Sequence, residues 1–107
     1  MVRSALVLAC ALVLAACGGP APEPTVSGLR LARQGSGYPT LTGYVVNRGD
    51  AAIRSADVSV TLYDPDNRPM EDVMVQVRRV EAGDSARFEK RLDVDARGAK
   101  LKYVGAN

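Results

Sequence analysis

Residues 56–63 alternate without a break: Ala56, Val58, Val60 and Leu62 are apolar, while Asp57, Ser59, Thr61 and Tyr63 between them carry polar groups. Strand side chains point to opposite faces with period two, whereas a helical face repeats every 3.6 residues. This stretch can therefore bury its apolar set on one face only as a half-buried strand. The same period recurs elsewhere. Leu29 and Leu31 mark a strand before Gly35-Ser36-Gly37. Leu41, Gly43 and Val45 face one way, and Thr42, Tyr44 and Val46 the other. Val73, Val75 and Val77 alternate with Met74, Gln76 and Arg78, and Phe88 and Leu92 share a face with Lys90 at the same parity. Leu101 and Tyr103 mark a last strand, with Lys100 and Lys102 directed away from the core. Asn47-Arg48-Gly49-Asp50, Asp64-Pro65-Asp66-Asn67 and Ala82-Gly83-Asp84-Ser85 are turn sequences. In the second, proline presets φ, asparagine tolerates the left-handed conformation and Asp64 can accept backbone donors. Short, regularly spaced strands with polar outer faces predict an all-β fold: an antiparallel β-sandwich of about 6–7 strands around one core.

The chain before this region has a different character. Arg3 is the only charge ahead of Cys17, and residues 5–16 are uniformly apolar. A span needs roughly 20 apolar residues, so this segment reads as the core of a signal peptide. Leu14-Ala15-Ala16-Cys17, followed by Gly18, resembles the bacterial lipoprotein signal. An alternative at Val7-Leu8-Ala9-Cys10 leaves too short an apolar core, and an ordinary secretory cleavage would leave Cys17 as a free thiol. The resemblance implies a signal peptide over residues 1–16 and a diacylglyceryl thioether on Cys17 (with further acylation, such as palmitate, on its amine). One acyl chain binds a membrane reversibly, whereas two or three hold it stably. Gly18 in place of Asp implies the outer membrane by analogy with Gram-negative sorting, with the domain facing the periplasm or the surface. Alternate prolines between Gly18 and Thr25 predict an extended tether over residues 17–25. At about 3.1 Å per residue it would lift a domain of residues 26–107 roughly 25 Å from the membrane.

Composition excludes several functions. Lys and Arg number 14 against 12 Asp and Glu. The leader removes only Arg3, which leaves 13 against 12 and no basic block of the kind nucleic-acid binding requires. Cys10 goes with the leader and Cys17 to the lipid, so the domain is expected to have no internal disulfide even in an oxidising compartment. There is no His and no Trp, and Phe88 is the sole Phe. Common nucleophilic triads are absent, and the expectation is no enzyme and no cofactor. Asp64, Asp66, Asn67, Glu71 and Asp72 form an oxygen-rich stretch, but Arg68 and Val75 stand where a calcium loop of EF-hand spacing needs oxygens. Turn formation explains the cluster more simply, and no metal is expected. Arg48-Gly49-Asp50 matches an integrin-read tripeptide at the level of chance. Arg78, Arg79, Arg87, Lys90 and Arg91 would form a basic strip if their two strands pair, although Glu81, Asp84 and Glu89 are interleaved.

Val60-Thr61-Leu62-Tyr63-Asp64 resembles the signature of the FxLYD domain family, with Val60 in place of Phe. Gly43-Tyr44-Val45-Val46-Asn47 resembles the strand preceding that signature, and the segment from Val80 to Phe88 its later turn and strand. The resemblance runs from about Gly43 to Tyr103. It implies an immunoglobulin-like sandwich on a bacterial envelope protein and little about activity. Leu62 is expected in the core, and Gly43 where a backbone or large side chain approaches closely. The leading functional expectation is a lipid-anchored envelope binding or scaffolding module without catalysis. Its partner would be another envelope protein or a glycan, met through a sheet edge, a loop, or Tyr44 and Tyr63. The alternatives are an inhibitor of an envelope-directed hydrolase, acting through the loop at residues 35–39, and a ligand- or calcium-sensing lipoprotein.

Overall fold

The structure is a computed structural model that describes residues 19–107; the leader and Cys17 lie outside the described residues. Six strands follow one another: β1 (Pro24–Ala32), β2 (Thr40–Asn47), β3 (Ile53–Tyr63), β4 (Pro69–Val80), β5 (Ser85–Arg91) and β6 (Gly98–Ala106). They form two three-stranded antiparallel sheets, ordered β1-β2-β5 and β4-β3-β6. Two connections are hairpins within a sheet, β1 to β2 and β3 to β4. The other three cross between sheets, which gives the crossing connectivity of immunoglobulin-like sandwiches.

Each strand contributes the face its alternation predicts. Ala56, Val58, Val60 and Leu62 of β3 are fully buried and meet Leu41, Val45 and Phe88 of the opposite sheet. Val75 and Val77 complete the inner face of β4. Phe88 lies opposite Gly43 in the β2–β5 ladder, and its ring fills the space over that glycine. A Cβ on Gly43 would sit 2.6 Å from Phe88 Cζ, so only glycine fits beneath the one phenylalanine of the core. Among the described residues, the core cluster and the side chains packed on it come from residues 26–106.

Irregularities reset the alternation at several places, one of them where Met70 is passed over between the Leu62–Glu71 and Tyr63–Pro69 pairs. Gly28 adopts φ 64° and interrupts the register between Ser27 and Arg30. Val26 before it and Leu29 and Leu31 after it thus pack on the same core despite opposite parity. In β4, Arg79 takes φ 59° and lets Val80 turn inward as Val77 does. In β6, an extra residue at Lys102 separates the Leu101–Val60 pair from the Tyr103–Ser59 pair. This corrects the expected orientation of the last strand. Val104 and Ala106 pack inward, Leu101 lies at the open edge, and Tyr103 faces outward at 59% exposure.

Pairing begins at Pro24 rather than Val26, and residues 21–23 are bound rather than free. Arg48 N–H donates to Glu23 O at 2.9 Å and Asp50 N–H to Ala21 O at 3.2 Å, while Ala21 N–H donates to Asp50 Oδ1 at 3.0 Å. Gly49 lies beneath this strap with no room for a Cβ against the Ala21 carbonyl and the Glu23 nitrogen. The Arg-Gly-Asp tripeptide is therefore a strapped turn and not a projecting loop.

Asn47 holds the strap to the sandwich. Its side chain is fully buried, with Oδ1 accepting from Glu23 N–H at 3.1 Å and Gly49 N–H at 3.0 Å. Its Nδ2 donates to Ala51 O at 2.8 Å and Val80 O at 3.1 Å. Its backbone N–H donates to Asp84 O, and its carbonyl accepts from Gly83 N–H, both at 2.9 Å. One residue thus satisfies groups from the strap, the β2–β3 loop, the end of β4 and the β4–β5 turn.

Two substitutions separate these roles. Asn47→Ala leaves two donors and two acceptors without their partner and is expected to destabilise the domain by about 3 kcal/mol in urea unfolding. Gly49→Val is expected to release only the strap. Amide exchange at Ala21, Glu23, Arg48 and Asp50 should then accelerate while the strands keep their protection.

Candidate functional site

Beyond a row of Thr25, Val46 and Ser85 at the strapped end, the outer face of the β1-β2-β5 sheet carries three rows of side chains. Ser27, Tyr44 and Arg87 form the first, Arg30, Thr42 and Glu89 the second, and Ala32, Thr40 and Arg91 the third. The central strand contributes a low floor because Thr40 and Thr42 are short, and Thr42 is buried at 7% exposure. Longer side chains from the flanking strands rise around it. Depressions of about 330, 190 and 250 Å³ lie along this floor. The first two share Gln34, Thr40 and Arg91, and the last two share Thr42 and Arg87. Together they make one open trough along β2, from Tyr44 to Tyr38.

The charge on this face is mostly positive. Arg87 Nη1 bonds Glu89 Oε2 at 2.9 Å, and that bond holds the guanidinium proton more firmly than usual, with a smaller contribution from Tyr44. Among the described residues, neither Arg30 nor Arg91 belongs to an ion pair. Tyr44 is 44% exposed and its ring lies across Gly28, where a Cβ would meet it at 3.5 Å. Tyr38 stands at the far end, 60% exposed. Its loop is braced by Arg33, which pairs with Asp95 at 2.8 Å and donates to the carbonyls of Ala96 and Gly37.

The basic strip that pairing of the two strands would have made does not form. Its two strands belong to different sheets, so Arg78 faces outward on one while Arg87 and Arg91 face outward on the other. Arg30 of β1 is the arginine that joins Arg87 and Arg91 instead. The pairing of β1 with β2 that brings it there leaves no local signal around Arg30 itself. Tyr44 and Tyr63 are likewise separated, one on each outer face, and do not make a common contact surface. Tyr63 is half-buried beneath Lys100, whose Nζ sits 4.9 Å from the ring centroid.

The second outer face is a polar lattice with an apolar end. Asp72 accepts from the Thr61 hydroxyl at 2.8 Å and from Lys102 Nζ at 2.6 Å, across the full width of the sheet. Met74 and Tyr103 flank Ser59 further along. The oxygen-rich turn is occupied by its own donors. Asp64 Oδ1 accepts from Asp66 and Arg68 N–H, both at 2.9 Å, Arg68 pairs with Asp64 and Asp66, and Asn67 takes φ 63°. Among the described residues, no group of three or more His, Cys, Asp or Glu is arranged to hold a metal ion.

No family model and no curated protein matches the chain. Its fold is similar to the crystal structure of a DUF1425 family member from Shewanella sp. pv-4, with a TM-score of 0.63 over 82% of each chain at 15% identity. At that identity the likeness is one of fold, and it supports the all-β sandwich.

Three aspartates are held below the usual carboxylate range. The Arg68 backbone N–H does this for Asp64, Lys102 for Asp72 and Arg33 for Asp95, each the largest cause acting on that group. A depressed carboxylate stabilises the fold above its unfolded value of about 3.9, and that contribution is lost as pH falls through the lower folded value. The melting temperature is therefore expected to hold steady from neutrality to about pH 5 and to fall below about pH 4. Substituting Asp64, Asp72 and Asp95 together by Asn should flatten the acid limb.

Proposed function

We propose that this chain is a lipid-anchored, non-catalytic binding module of the bacterial cell envelope, of the FxLYD-like kind its motifs resemble. The trough on the outer face of the β1-β2-β5 sheet is its partner surface and the observation that carries the reading. It combines three arginines, hydroxyl groups and two exposed tyrosines on a rigid sheet, a set suited to recognition. Cys17 would carry the lipid, and the outer membrane is the favoured location.

The strap sharpens how such an anchor would act. Only Gly18, Gly19 and Pro20 separate Cys17 from the first bound residue. At about 3.6 Å per residue they allow a reach of roughly 14 Å, in place of the longer lift an eight-residue tether would give. The strapped end of the sandwich would stay close to the membrane. The strands then carry the trough and the Tyr38 loop outward, since an 11-residue strand such as β3 is about 36 Å long.

A second reading, inhibition of an envelope-directed hydrolase, is favoured by the bracing of the Tyr38 loop, because an inhibitory loop gains from being held in one shape. Recovery of a hydrolase that loses activity on binding would favour it over scaffolding.

Mass spectrometry of the protein extracted from bacterial membranes tests the anchor. The expected N-terminus is Cys17 with acyl mass attached, and Cys17→Ser should abolish that modification. An intact Met1 terminus with an unmodified thiol would overturn the reading.

A further inference from the structure

We propose that the trough along β2 binds an extended acidic glycan, a chain of sugars bearing carboxylates at intervals. This rests on the reading of that face as the partner surface and names the ligand class.

The arrangement of charge selects the ligand. Arg87 and Arg91 lie four residues apart on β5, about 13 Å along the strand. Arg30 stands across the trough on β1, two strand spacings or about 10 Å away. Spread at these backbone intervals, the three cations match a polymer with sparse, regular negative charges. Arginine suits carboxylates because its planar fork can bind both oxygens. Glu89 bonds to Arg87, and among the described residues Arg30 and Arg91 belong to no ion pair, so the trough is complementary to a moderately charged chain.

The uncharged groups point the same way. Thr40 and Thr42 offer hydroxyls that both donate and accept, and Gln34 offers an amide that does the same, as sugar hydroxyls require. Tyr44, braced against Gly28, and Tyr38 at the other end present rings with a polar tip. An extended peptide fits poorly. The backbone donors of β2 are used on both sides by β1 and β5, so the floor offers a strand nothing to pair with. A flat lipid surface cannot follow a concave trough. Single-stranded nucleic acid calls for denser positive charge than a face holding Glu89 supplies.

The test uses residues 19–107, which hold all six strands and the strap, without lipid. The segment is titrated with a hexameric oligouronate, with a neutral malto-oligosaccharide of equal length, and with vesicles of phosphatidylglycerol and phosphatidylcholine, while backbone amide shifts and affinity are followed. The expected result is saturable oligouronate binding that moves the amides of Thr40, Thr42, Tyr44, Arg87 and Arg91 and weakens with salt. Arg30→Ala and Arg91→Ala should each weaken it about threefold or more, and Arg78→Ala on the opposite face should leave it unchanged. No oligouronate binding, equal binding of the neutral glycan, preference for the vesicles, or shifts spread over both sheets would each overturn the proposal. If the arginine variants abolish capture of an envelope protein while no glycan binds, the partner face survives and the glycan assignment falls. Because no lipid enters this measurement, its outcome is independent of the chemistry at Cys17.

Discussion

Asn47 sits where four chain segments meet, and its amide has a partner for each of its polar atoms. An amide taken out of water without partners costs several kcal/mol, so a fully buried asparagine persists only where the surrounding backbone fits it closely. Here that fit links the strap, the β2–β3 loop, the end of β4 and the β4–β5 turn at one end of the sandwich. A core built of Val, Leu, Ile and Ala with one Phe packs well but has little directional preference, because apolar burial is non-directional. The asparagine supplies the missing direction. It determines how the two sheets close at this end, and it holds residues 21–23 against the domain.

The period-two pattern made the six strands and the sandwich legible, because burial on one face leaves its mark at every second residue. The positions of Gly43 under a large side chain, of Leu62 in the core and of the Asp64 turn were legible for the same local reasons. What stayed hidden depends on partners far away in the chain. Asn47 reads as an ordinary turn residue until the segments 24 and 33 positions away are brought to it. A single bulge at Lys102 moved Tyr103 to the outer face, and nothing in the spelling of that strand distinguishes it from a regular one. The arginine face was missed because chain neighbours β4 and β5 belong to different sheets, while Arg30 arrives from a strand 57 residues before Arg87.

Bulges also bear on how this domain can meet a partner. A sandwich of two three-stranded sheets has four edge strands, and regular edges invite pairing with other chains. Gly28 breaks the regular backbone of β1, and Arg79 that of β4. The extra residue at Lys102 breaks β6, and β5 carries Glu89, Lys90 and Arg91 in succession. Irregular or charged edges of this kind disfavour strand addition. Recognition through sheet edges, one of the modes open from the sequence, is thereby made less favourable than recognition through a face.

On the β4-β3-β6 face Lys102 and Thr61 meet on Asp72 and Lys100 lies over Tyr63, while Arg78 and Asp57 stay outside any ion pair among the described residues. The face on β1-β2-β5 retains Arg30 and Arg91 outside any ion pair among the described residues, above a floor of threonines. Unspent charge on a rigid surface is available for an external ligand without first breaking an internal bond, so less of the interaction energy is lost to rearrangement. The strap adds a geometric consequence. β1 is continuous with it, so the strand that carries Arg30 is the same strand that leads back towards Cys17. In the lipid-anchored arrangement proposed, a ligand held at Arg30 would load the strap along its hydrogen-bonded length, and the Asn47 contacts would bear that load.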